Sequence, residues 1–189
     1  METLATIEDV VSAIGRDLTD DEAARAQFPL DKASELFRRE ARQHFTPGVS
    51  SPRLRVVGGL VTLPQRPAGV VTKVTDSHGR QVPFTQDAEL VRVPERAGPL
   101  VRVTYSHGNE VVPDLVRLTV TEIARKVLGI SKKALAGVTQ YSDTTGPFTE
   151  SETYATWAQG GQTMLSPDDA ATARSYRVYR RYAIVQDSR

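Results

Sequence analysis

Between Val101 and Val127 the apolar period of the chain changes from two residues to that of a helix. Val101, Val103 and Tyr105 alternate with Arg102 and Thr104, the spacing of a half-buried strand. After the polar break Ser106-His107-Gly108-Asn109-Glu110, apolar residues recur at Val116, Val120, Ile123 and Val127, which puts them on one helical face. A strand therefore feeds a helix through a handful of turn residues, and only a mixed fold accommodates that joint.

The flanking segments follow the same division. Thr6 can cap a short helix carrying Ile7, Val10, Val11 and Ile14, closed by Gly15 in the left-handed region. Thr19-Asp20-Asp21-Glu22 reads as a capping box opening a second helix to about His44, kinked or divided by Pro29. From Pro52 to Tyr105 the period is two, with turns at Asp76–Gly79 and Pro94–Pro99. The matching runs Leu90–Val93 and Leu100–Val103 are expected to pair across the second turn as a hairpin. The two glycines of "VVGGLV" have no helix after them, so a bulge or bend is expected there. Pro113 opens the third helix and Gly129 stops it. Ser166-Pro167-Asp168-Asp169 opens a fourth, expected to run through Ala183.

Residues 130–165 have little helical period and are rich in Thr, Ser and Gly, although "GVTQYS" and "FTESETYATW" alternate well enough for extended arms. Structureless connections of this length are uncommon in compact domains and are usually functional or disordered. The expected architecture is thus α+β. A four-helix core comes from residues 1–48 and 109–189, a small antiparallel β-sheet or sandwich is inserted at 49–108, and a long extended loop at 130–165 precedes the C-terminal helix.

Enzymatic signatures are missing from the sequence: it holds no GxSxG, no phosphate loop, no HExxH, and no cysteine. No catalytic residue, cofactor or metal is expected. His44, His78 and His107 lack ligand spacing and read as surface residues beside turns. The carboxylates of Asp20–Glu22 and Asp168–Asp169 sit where they complement helix N-termini. A formal net charge of +1 does not by itself point to nucleic acid or acidic lipid. The first twenty residues hold Glu8, Asp9, Asp17 and Asp20 and no apolar run, so no secretory signal is expected. A soluble protein made in a cytoplasm is the expectation.

One constellation remains. On a regular terminal helix Arg174, Arg177 and Arg181 would share one side and Tyr176, Tyr179 and Ala183 the other. With Arg180 and Tyr182 they form either a solvated basic face over a packing face or a docking tail, since Tyr and Arg often anchor interfaces. Single-strand nucleic-acid binding through stacked tyrosines is a third reading. Tyr141, Phe148, Tyr154 and Trp157 are the large side chains of the loop, suited to contacts between subunits.

The order of these pieces resembles the head-to-tail adaptor (connector) proteins of long-tailed bacteriophages, most closely those of actinobacterial phages. "LATIEDVVSAIGRDLTDDEAARAQ", the joint "VRVTYSHGNEVVPDLVRLTVTEIARKVL", then "GPFTESETYA" and "LSPDDAATARSYR" carry the likeness over nearly the whole chain. The resemblance implies a non-enzymatic virion protein. It would form a dodecameric ring below the portal protein at the capsid vertex, extend the DNA channel, and join copies of itself to a downstream neck or tail protein. Genomic double-stranded DNA would pass without sequence-specific binding, and no membrane is involved. The alternative is a nucleic-acid-binding or regulatory module using the C-terminal Arg/Tyr helix.

Overall fold

In the computed structural model the described residues are 2–130, 138, 140–145, 148–153 and 163–178. The fold is α+β, and the chain divides into two compact units, Met1–Glu40 with Asp114–Ala173 and Ala41–Pro113 with Arg174–Arg189.

The first unit is built on helices whose ends are written in the sequence. Thr6 caps α1 (Ile7–Ile14): its hydroxyl accepts from the Asp9 amide, the Asp9 carboxylate accepts from the Thr6 amide, and Gly15 closes the helix at φ 76°. Thr19 and Glu22 form the same box on α2 (Asp20–Arg25). Arg16, hydrogen-bonded at 2.8 Å, together with the Thr19 amide holds the Glu22 carboxyl down to about 2. The second helical segment is divided, as its proline leads one to expect, although not at Pro29 itself. It breaks at Ala26, and α3 (Gln27–Ala41) begins so that Pro29 falls in its first turn, where a missing N–H has no helical acceptor to lose. That helix ends at Ala41, short of His44, because Arg42 and Phe45 take left-handed backbone angles of 57° and 66°.

Leu30, Ala33 and Phe37 of α3 are fully buried, as are Val116, Val120 and Ala124 of α4 (Asp114–Leu128), against which α1 packs. Polar ties lock the packing. The Leu4 amide donates to Ser34 Oγ at 3.0 Å, Arg25 to the Leu128 carbonyl at 3.1 Å, and Arg117 to Asp9. Partial burial would raise the Asp9 carboxyl, but bonds from Thr6 and Arg117 outweigh it and hold it below its ordinary value.

The second unit holds two small antiparallel sheets facing one core. In the first, β7 (Leu100–His107) is central. β1 (Gly48–Ser50) and β2 (Arg53–Arg55) lie end to end along one of its edges, bridged by the Val103 amide donating to the Pro52 carbonyl at 3.1 Å. β4 (Ala68–Thr75) takes the other edge, with two register shifts between Ala68 and Lys73. In the second sheet β6 (Leu90–Arg92) lies between β3 (Leu60–Thr62) and β5 (Thr85–Asp87). Leu54, Val61, Leu63, Val74, Val91, Val101, Val103 and Tyr105 fill the space between them.

One expectation fails in this unit. The runs Leu90–Val93 and Leu100–Val103 do not pair with each other; they sit at the centres of different sheets. Between them a 3-10 turn at Glu95–Ala97 and Gly98 at φ 85° redirect the chain, so each run buries its valines against the other sheet. The glycines of "VVGGLV" make the bend rather than the bulge. Gly58 and Gly59, at φ 56° and 73°, close a two-residue turn with Val57 and Leu60 bonded both ways, the primed turn that suits strand twist.

A third sheet is the ribbon of β8 (Gln140–Thr145) and β9 (Phe148–Thr153), paired in register from Gln140↔Thr153 to Thr145↔Phe148. The extended arms expected in the loop are, over residues 140–142 and Phe148–Thr153, strands of this ribbon, and the parts of the arms at 137, 139 and 154–157 lie outside the described residues. The last helix, α5 (Pro167–Ser175), has its own reciprocal cap between Ser166 and Asp169. It ends at Ser175, well before Ala183, so Tyr176, Arg177 and Val178 lie beyond it.

Candidate interaction surfaces

The strand-to-helix joint is pinned to the second unit at its first residues. The Gly108 amide donates to the Pro67 carbonyl at 3.2 Å and the Asn109 amide to the Phe45 carbonyl at 3.2 Å. Gly108 has φ 92°, and a Cβ there would collide with the Thr46 carbonyl; only glycine meets both conditions. Gln43, buried, brackets the facing loop: its amide group donates to the Pro64 carbonyl and accepts from the Arg66 amide, each at 2.8 Å.

Beside this joint lies a cluster that the sequence reading misplaced. His107 is not a surface turn residue. It is the last residue of β7, 7% exposed, with its ring stacked 5.2 Å from that of His44 and tilted against that of Tyr105 at 5.8 Å. His107 Nε2 and Ser50 Oγ share a hydrogen bond of 2.8 Å that ties β1 to β7. Burial, and secondarily His44, pushes the His107 imidazole below its ordinary value. Burial also raises the Tyr105 phenol, whose oxygen accepts from the Gln65 amide at 3.2 Å. A Ser–His pair is the start of a nucleophilic site, but such a site needs a third group to orient the imidazole. Among the described residues His107 Nδ1 is buried without a partner, and what the pair does in the fold is clasp β1 to β7. A shallow depression of about 550 Å³ opens alongside, lined by Val49, Pro67, Gly69, Ser106, His107 and Glu110. One more step of the alternation Val101, Val103, Tyr105 would have placed His107 inside.

The outward side of the same sheet is cationic. Arg53 stands directly opposite Arg102, Lys73 opposite Thr104, and Arg55 opposite Leu100, and all four cations are exposed. Their inward neighbours Leu54, Val101, Val103 and Val74 are buried, so strand alternation alone throws the charges outward.

Of the residues expected in a docking tail, Arg174 is the next-to-last residue of α5 and is exposed. Tyr176 and Arg177 are half-buried beyond the helix, and Tyr176 meets Phe45 edge-on at 5.3 Å. The wheel that set arginines against tyrosines therefore does not extend past Ser175 in the described chain. Tyr179, Arg180, Arg181 and Tyr182 lie outside the described residues, as do Tyr154 and Trp157. Tyr141 and Phe148 stand in the ribbon at register positions opposite Glu152 and Thr145. In that ribbon Gln140, Ser142, Ser151 and Thr153 are exposed.

No family model matches the chain, and no curated protein matches it. Among the described residues no helix is long and apolar enough to cross a membrane.

Proposed function

We propose that this chain is a structural subunit of a tailed-bacteriophage neck: a head-to-tail adaptor that forms a ring below the portal, extends the DNA channel and joins capsid to tail. The β8–β9 ribbon carries the reading. Among the described residues it is a sheet of two strands, and a lone hairpin is at best marginally stable in water. Its described face is polar and exposed. A ribbon of this kind gains its order from a partner, and in a closed ring every subunit offers the next one the same partner surface. The order of helices, β-unit, joint, ribbon and capped terminal helix agrees with the adaptor resemblance. The anchoring of Gly108 and Asn109 supports a joint that holds its own shape.

Electron microscopy of the purified chain mixed with portal-bearing capsids tests this. Added ring-shaped density at a single vertex is the expected result. A truncation after Val178 keeps Tyr176 against Phe45, and it should remain folded while losing the vertex density if the tail docks on the portal. Capsids that stay bare with the full chain would overturn the proposal.

A further inference from the structure

The structure assigns a second contact surface: we infer that the outward face of the β7-centred sheet binds the phosphate backbone of double-stranded nucleic acid through Arg53, Arg102, Lys73 and Arg55. The register sets Arg53 and Arg102 side by side across neighbouring strands, about 5 Å apart at their backbones. Like charges placed directly opposite destabilise a sheet, so this face gives up stability that an anion would restore. Among the described residues none of the four makes an ion pair. Arg102 donates to the Ser51 carbonyl at 3.1 Å, and the acid nearest in the chain to Lys73, Asp76, is held by Arg80 at 2.8 Å. Opposite-sign charges are therefore absent from the register positions of this face, although the whole chain carries a net charge of only +1.

The chemistry of the face selects the partner. Ser51, Thr72 and Thr104 stand among the cations, and Arg, Lys and hydroxyl side chains are the groups that contact phosphate and sugar. Exposed apolar residues are confined to the ends, Leu100 at one and Val49 and Val70 at the other. The centre thus lacks the apolar core of a protein interface. No aromatic side chain occupies the face, so there is no platform on which single-strand bases could stack. What remains is sequence-independent, salt-sensitive contact with duplex phosphates. The inference does not depend on the ring proposed above.

Fluorescence anisotropy with a labelled DNA duplex of arbitrary sequence, titrated at several salt concentrations, tests it. The full chain should bind with an affinity that falls steeply with salt. Arg53→Gln/Arg102→Gln should weaken binding equally for unrelated sequences and flatten the log–log salt slope by about 2. Arg39→Gln/Arg96→Gln removes the same net charge elsewhere and should leave the slope unchanged. A chain that ignores duplex DNA overturns the inference. So does a double variant with the parental slope, a control pair that loses as much, or polyglutamate binding tighter than DNA through the same two arginines. Circular dichroism melts establish that each variant is folded. Failure here leaves vertex binding untouched, so the two proposals stand or fall separately.

Discussion

The β7-centred sheet and the β8–β9 ribbon are both antiparallel, yet they reach order by different means. β7 is hydrogen-bonded along both edges, and Val101, Val103 and Tyr105 on its inward side are buried against a second sheet. In the ribbon, among the described residues, each strand has one partner strand, and the described face is exposed. In the first case the hydrophobic effect secures the strands at roughly 25 cal/mol per Å² of apolar surface. In the second, what the described residues show is backbone pairing, whose net worth is modest because water competes for the same groups. One region is secured by a shared apolar core; the other, among the described residues, by strand pairing.

Substitutions can break or sharpen this contrast. The largest effect is expected at Gly108, where alanine adds left-handed strain of about 1–3 kcal/mol to a collision with the Thr46 carbonyl. Gly108→Ala should lower unfolding stability by about 4 kcal/mol in urea titrations, overpacking supplying the remainder. Leu63 lies at 0% exposure in the core between the sheets. Leu63→Ala should cost about 3 kcal/mol, visible as a lower urea midpoint with an unchanged slope; a cost under ~1 kcal/mol would mean the two sheets do not share a core.

The His107 clasp adds a pH dependence. Its imidazole is depressed in the folded chain, so on acidification the unfolded chain takes up this proton first, near the ordinary value of 6.5. The unfolded state then binds more protons, and stability rises with pH through this window and is lost as pH falls below it. One proton limits the slope to about 1.4 kcal/mol per pH unit. Urea midpoints between about pH 8 and about pH 5 should show the decline, and His107→Gln should flatten it. The smallest effect is expected in the ribbon, where Ser142→Ala should change stability of the free chain by less than ~0.5 kcal/mol. A larger loss there would show that the arm is already supported within one chain.

The parts of this molecule legible in the sequence are those settled within a few residues. Thr6, Thr19 and Ser166 signal helix starts because each closes a hydrogen bond three residues away, and Gly15 and Gly129 mark stops for the same local reason. Val116, Val120 and Ile123 follow from period alone. The pairing of Leu90–Val93 with Leu100–Val103 misled because both runs have the right alternation, while partner choice depends on strands far off in the chain. His107 was missed at the last step of a strand whose polar ending imitates a turn. The cationic face was overlooked because a net charge near neutral averages it away, whereas alternation around Leu54 and between Val101 and Val103 already separates it from the core.

β7 is also the last strand of its sheet to be made. β1, β2 and β4 precede it in the chain, and Ser50 lies 57 residues from the His107 ring it bonds. On the ribosome those three strands emerge with no hub to join, and such long-range pairing is slow because loop closure must come first. Apolar strands exposed in that interval are the ones prone to aggregate. Yield of intact protein in the cell should therefore respond more to the rate at which residues 90–107 are translated than to any change in the helices that follow.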